Sequence, residues 1–346
     1  MALKMTVKKI GLWSSTALIA GNMIGSGIFL LPATLASYGG ISLFGWLFSA
    51  LGALFFTLIF RWLSQRMPDT IGGPYAYTKI VMGNFWGFLV GWGYWISIWC
   101  TNAAIAVAFV GYLTVFIPEV GAHKSLAIAS GLGAIWLFSF INSWSLMTIA
   151  WVQKITTILK LIPILAIGFI GVWYIDWSLI SLENLSGESD FKAISATTTL
   201  TLFAFLGLES ATVASAKIRN AKKTVGRAGL IALGITMTTY ILSSVAIFGI
   251  LPPEVLMNST APFADAASSF WGVSSKYIVA AGAIAATLGA LNGWILIQGQ
   301  IPMATAKDHL FPSFFARVNG NGAPVIGIVV SSLLALSLIH ISEPTR

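Results

Sequence analysis

Residues 21–29 read GNMIGSGIF, three glycines and an asparagine inside a stretch that otherwise has the makeup of a membrane-crossing helix. In hydrocarbon an unpaired backbone N–H or C=O is costly, so irregular backbone survives there only when protein buries it or when it lines a cavity. Gly21, Gly25 and Gly27 therefore point to a deliberate interruption. A break here opens the N–H groups around Gly25, Ser26 and Gly27 at the start of a second half-helix, whose positive dipole end suits a carboxylate. A competing reading makes Gly21 and Gly25 a GxxxG packing face. A phosphate-binding loop is excluded, because no Gly-Lys-Ser/Thr ending follows.

The surrounding solvent is set by composition. Of 346 residues, 57% are hydrophobic and 9% charged, and the mean hydropathy is +0.87. No soluble chain of this size can hide so much apolar surface from water, so the excess faces lipid. Apolar runs near 10–36, 41–65, 85–116, 124–143, 147–174, 194–216, 228–251, 277–305 and 324–341 predict nine spans of an all-α polytopic membrane protein. Alternation typical of a β-barrel is absent. Lys4, Lys8 and Lys9 precede the first span without a cleavable signal pattern, so that span is expected to stay as an anchor. With a cytoplasmic amino terminus, fifteen of the 19 Lys and Arg residues fall on the inner side and only Lys124, Lys192, Lys276 and Arg346 on the other. The net charge of +8 thus reports topology and contact with the lipid bilayer, not nucleic acid. The expected location is the plasma (cell inner) membrane. Cys100, the single cysteine, permits no intramolecular disulfide.

A second interruption lies in the sixth span, where residues 203–212, FAFLGLESAT, place Gly207 beside the carboxylate Glu209. An acid within the membrane is a functional candidate by default, although a protonated or hydrogen-bonded structural Glu would also fit. Breaks in the first and sixth spans occupy corresponding positions of two five-helix halves. An odd helix count inverts one half relative to the other, an architecture used by many secondary transporters. The expected division is residues 1–174 as the first repeat and 194–341 as an incomplete second one.

With GNMIGSGIFLLPATLASYGG are found GGPYAYTK, GYWISIWCTNAAI, FLGLES, LNGWILIQGQ and ATAKDHLFPSFFARVN. In this order the segments, from about residue 8 to about 335, resemble the amino acid–polyamine–organocation superfamily, whose architecture is the LeuT-like inverted repeat. Within it the chain is most similar to the arginine/agmatine antiporter group of basic amino acid and polyamine exchangers. The resemblance implies that Ser26 and Gly27 bind a substrate carboxylate, and that the carbonyls of Met23, Phe203 and Leu206 take its α-amino group. It further implies that Asn22 shapes the break, Asn102 and Ile105 contact the substrate side chain, and Trp294 forms an aromatic wall. Tyr94 and Glu209 match gating positions toward the cytoplasm. Ordinary readings stay open: Trp294 and Tyr94 as packing or lipid-facing aromatics, Asn102 as an interhelical hydrogen bond.

Two departures bear on substrate. Phe203 stands where the arginine/agmatine exchangers carry a tryptophan, which weakens cation–π stacking. Lys160, in VQKITTILKLIP, stands where that group generally has a small residue; in other superfamily members a lysine after the same Val-Gln resembles a built-in replacement for sodium. It lies about 18 Å along the helix from Thr148 at 1.5 Å per residue, so snorkelling to the interface is harder than for Lys154, and reaching water through a cavity is the bland alternative. The implied activity is alternating-access exchange of amino acids or amines. The alternatives are proton-coupled uptake, with Lys160 or Glu209 carrying the proton, and a non-transporting sensor. No enzyme constellation is present, since His123, His309 and His340 lack metal-ligand spacing, and no metal or cofactor is expected. The superfamily has about twelve spans, so the ending SLIHISEPTR, residues 337–346, points to a truncated carboxyl end, with 342–346 expected to be a truncated or non-native tail. A homodimer is expected only of the full-length protein.

Overall fold

The computed structural model describes residues 9–25, 27–67, 70–144, 146–259 and 261–341; Lys4, Lys8, Ser26 and the 342–346 tail lie outside them. In chain order the helices are α1 (Leu12–Met23), α2 (Gly27–Ala36), α3 (Ser42–Arg66), α4 (Pro74–Met82), α5 (Asn84–Leu113), α6 (Pro118–Ala122), α7 (Lys124–Trp144) and α8 (Leu146–Ile170). Then come α9 (Asp190–Phe203), α10 (Ser210–Val213), α11 (Ala221–Ile250), α12 (Pro253–Met257), α13 (Pro262–Trp271), α14 (Ser275–Lys307) and α15 (Val325–Ile341). Extended pairing among the described residues is limited to a single bridge, Ile10 to Ile218.

The six helices α3, α5, α7, α8, α11 and α14 are each long and apolar enough to cross a membrane. The expected first and sixth spans come in two pieces, α1/α2 and α9/α10, and α15 has 17 residues. Among the described residues length and composition thus identify six candidate crossings and do not by themselves reach the expected nine.

Both interruptions have a local cause. At the end of α1 the Ile24 N–H still reaches the Ala20 carbonyl at 2.9 Å, but Ile24 turns to φ −80°, ψ 80°, and the Gly25 N–H folds back onto the Met23 carbonyl. Pro32 inside α2 then removes one further helical donor. In the sixth span α9 stops at Phe203, and Gly207 takes φ +106°, a conformation that side-chain-bearing residues rarely adopt. The two breaks touch: a Cβ on Gly207 would sit 2.7 Å from the Asn22 Cβ.

Around them α1 packs against α8, α10, α11 and α14. The hub is α14, with 72% of its apolar window buried against 33–50% for the other five long helices. Polar side chains stitch the hub to its neighbours: Asn102 on α5 donates to Gln298 Oε1 at 2.7 Å, Gln298 donates to Ser332 on α15 at 2.9 Å, and Asn292 donates to Gln153 on α8 at 2.9 Å. Such bonds hold spans together where hydrophobicity gives no preference for protein over lipid. Outside the bundle Phe55, Ile59 and Trp62 of α3 are all at least half exposed, as lipid-facing side chains should be.

Candidate functional site

Between the breaks lies a small cavity lined by Asn22, Met23, Gly25, Gly27, Thr101, Ile105, Phe203, Ala204, Leu206 and Trp294. Its space for water-molecule centres is about 20 Å³, enough for one water but not for an amino acid. Occupancy by a larger ligand thus requires the walls to separate.

Eight of the residues singled out in the sequence line this cavity: Asn22, Met23, Gly25, Gly27, Ile105, Phe203, Leu206 and Trp294. Ser26 lies outside the described residues. Asn102 is fully buried and turned into the interhelical bond with Gln298, while its neighbour Thr101 faces the cavity. Thr101 and Ile105 are four residues apart and so share a helix face, a spacing that could have selected Thr101 from the sequence.

The carbonyls of α1 that the break deprives of helical partners are met by donors from three other helices. Lys160 Nζ of α8 donates to the Gly21 carbonyl at 2.6 Å and to the Ile24 carbonyl at 2.5 Å. Trp294 Nε1 of α14 donates to the Asn22 carbonyl at 3.3 Å. The Tyr240 hydroxyl of α11 sits 2.7 Å from the Met23 carbonyl and 3.0 Å from that of Ala204, so its one proton bridges the two breaks. Lys160 and Tyr240 are both wholly buried. Four consecutive carbonyls, residues 21 to 24, are in this way fixed from outside their own helix. No sequence motif marks Tyr240; a hydroxyl in an apolar span was its only signal.

On the side of the sixth-span break, the Tyr94 hydroxyl donates to Glu209 Oε1, and the Gly207 N–H donates to Oε2 at 3.1 Å. Glu209 is 7% exposed. This pair ties α5 to the sixth-span break and brings the two expected gating residues into contact. Asn22 Nδ2 adds a bond to Ser210 Oγ at 2.7 Å.

Comparison with known proteins fits this geometry. The model of the amino acid permease family matches residues 10–342. The chain belongs to the amino acid permease family. A cadaverine/lysine antiporter of Escherichia coli strain K12 is 35% identical to this permease over 338 residues, covering 96% of the chain and 75% of that protein. An arginine/ornithine antiporter of Pseudomonas aeruginosa is 30% identical over 338 residues, with 94% and 69% covered. Among solved structures, a Na+-coupled sialic acid symporter in a substrate-bound outward-open state superposes with a TM-score of 0.64 at 13% identity, over 97% of this chain and 76% of that one. At that identity the likeness speaks for the fold, a LeuT-like helical transporter, and the permease is a multi-pass membrane protein and not an enzyme.

The permease also carries a latch outside the spans. Asp308, just beyond α14, accepts from the Tyr75 hydroxyl at 2.7 Å and pairs with Lys79 Nζ at 2.8 Å, joining α14 to α4 beside a cavity of about 310 Å³. Burial alone would hinder ionisation of Asp308, but the bonds from Lys79 and Tyr75 and the charge of Lys79 outweigh it and hold the carboxyl below its ordinary 3.8. The same burial and contact push the Tyr75 hydroxyl up. Nearby Lys217 is held down to about 8 by burial and by the like charge of Lys307. A carboxylate depressed in the folded state contributes stability that is complete above its ordinary value and disappears as pH falls through the folded one. With the pair 26% and 36% exposed, that contribution is about 1 kcal/mol or less. Asp308→Asn should lower thermal stability by that amount at pH 7. It should also flatten the additional loss the wild type shows below pH 3.8, as measured by melting curves in detergent.

Proposed function

We propose that this permease exchanges basic amino acids and related amines across the cell inner membrane by alternating access. The observation that carries this reading is the meeting of two broken spans around a cavity lined by residues of both breaks. First-turn N–H groups of α2 suit a carboxylate, and the carbonyls of Met23, Phe203 and Leu206 suit an ammonium group. Amines without a carboxylate keep the second contact, which is what an exchanger of amino acids for amines needs. Phe203 and Trp294, both on the cavity wall, offer aromatic faces to a cationic side chain. The names of the Escherichia coli and Pseudomonas aeruginosa relatives support lysine, cadaverine, arginine and ornithine as first candidates.

In this reading Lys160 supplies the charge that closes the first break, so exchange proceeds without sodium. Tyr94 and Glu209 close the inner path. Residues 1–174 and 194–341 act as inverted repeats, the helices of the breaks rocking against the remainder. The amino terminus is cytoplasmic, as the distribution of lysine and arginine supports.

Proteoliposomes test this. Labelled lysine should enter vesicles preloaded with lysine or cadaverine at least about tenfold faster than empty ones, with sodium and a pH gradient both without effect. Equal uptake into empty vesicles driven by a pH gradient would replace exchange by proton symport, and binding without flux would leave a sensor.

A further inference from the structure

At one end of the bundle, α3 and α11 come together with basic side chains and no acid. A Cβ on Gly226 would lie 2.4 Å from Arg61 Cγ, so the missing side chain at Gly226 is what lets the Arg61 stem lie across α11. One helical turn from Gly226 is Lys222, and Lys223 and Arg227 share the adjoining face. Arg66, one turn past Trp62 on α3, holds its guanidinium 3.8 Å from the centroid of the Trp62 ring. Residues 53–67 and 214–228 contain no Asp or Glu, and Asp69, the next acid along the chain, lies outside the described residues. Among the described residues the salt bridges are Lys79–Asp308 and Lys192–Glu188, and neither involves this cluster. Cations gathered on two contacting helices repel one another unless an anion sits among them.

Continuous with the cluster runs an apolar stripe. Leu47, Leu51, Leu54, Leu58 and Arg61 follow one another at helical spacing on one side of α3, and the four leucines are 50%, 45%, 36% and 41% exposed. A cationic end on a lipid-facing stripe matches a molecule with a negative head and an apolar tail.

We infer that the ends of α3 and α11 form a binding site for an anionic phospholipid, its phosphate held by Arg61, Lys222, Lys223 and Arg227 and one acyl chain lying along Leu58, Leu54, Leu51 and Leu47. Charge and shape together favour a lipid over a free anion, because a soluble phosphate would leave the stripe unused. Occupancy would brace α11, the helix that also carries Tyr240, against α3.

Native mass spectrometry of the purified chain, titrated with phosphatidylglycerol or phosphatidylcholine, tests the site. Wild type should retain phosphatidylglycerol preferentially. The variant Lys222→Gln/Lys223→Gln/Arg227→Gln should bind it about a hundredfold more weakly, taking about fivefold per basic residue near a membrane surface. Lys124→Gln/Lys276→Gln, at the opposite end, should bind as wild type does. Should the triple variant fail to melt cooperatively in detergent, Lys223→Gln alone is read instead, with about a fivefold loss expected. Equal retention of the two lipids, or equal retention by wild type and variant, overturns the site. Glycerol phosphate binding as tightly as the lipid would overturn the acyl half and leave an ordinary phosphate site.

Discussion

Lys160→Met is expected to reduce lysine exchange in proteoliposomes by at least about a hundredfold. The change keeps an apolar stem of similar length but removes the donor to the Gly21 and Ile24 carbonyls, which now receive it at 2.6 and 2.5 Å. A hydrogen bond from a charged group contributes about 1.5–3 kcal/mol, and in hydrocarbon no water stands ready to replace it. Two such bonds amount to about 3–6 kcal/mol acting on the segment that shapes the substrate site. The break would either rewind or lose its register. Lys160→Arg should not restore exchange, because the site is fully buried and a branched guanidinium overfills it. Membrane insertion, followed by the amount of protein in the membrane fraction, should be unchanged, since five other helices meet the length requirement independently. Exchange above half the wild-type rate in Lys160→Met would show that the buried ammonium is ornamental.

Gly207→Ala is the second large effect, with at least a tenfold loss of exchange expected. Two costs add there. The backbone sits at φ +106°, where an alanine is strained by about 1–3 kcal/mol, and the new methyl would lie 2.7 Å from the Asn22 Cβ and 3.0 Å from the Asn22 carbonyl carbon. The second contact is with main chain and cannot be relieved by a rotamer change, so the two breaks must move apart. Gly187 supplies the control. It also has a positive φ, +73°, but nothing within 4 Å of a would-be Cβ. Gly187→Ala should therefore report backbone strain alone and leave exchange within about twofold of wild type. If both variants transport equally, contact between the breaks does not matter to function.

How far the sequence disclosed this molecule depends on whether a feature is local. The interruptions were legible because glycine and asparagine contrast with apolar surroundings, and Lys160 and Glu209 because a charge within a span has few bland explanations. Contacts between distant segments were hidden. Tyr240 reaches Met23 across 217 residues and Tyr75 reaches Asp308 across 233, and neither pair has a local signature. Thr101 and Asn102 differ by one position, about 100° around a helix, and which of them faces a cavity is settled by packing against α14. The crossing count was uncertain for a similar reason. Whether α15 at 17 residues, or a span in two pieces, reaches from one interface to the other is a matter of tilt and neighbours rather than hydropathy.

The central claim, that main-chain atoms at the two breaks hold the substrate once the cavity walls separate, is tested most directly by a structure determined with lysine at saturating concentration. The account predicts density between the breaks, with the carboxylate on the first-turn N–H groups of α2 and the α-ammonium within hydrogen-bond distance of the Met23, Phe203 or Leu206 carbonyls. Lysine seated elsewhere, or α1 and α2 wound into one continuous helix around it, would contradict the account.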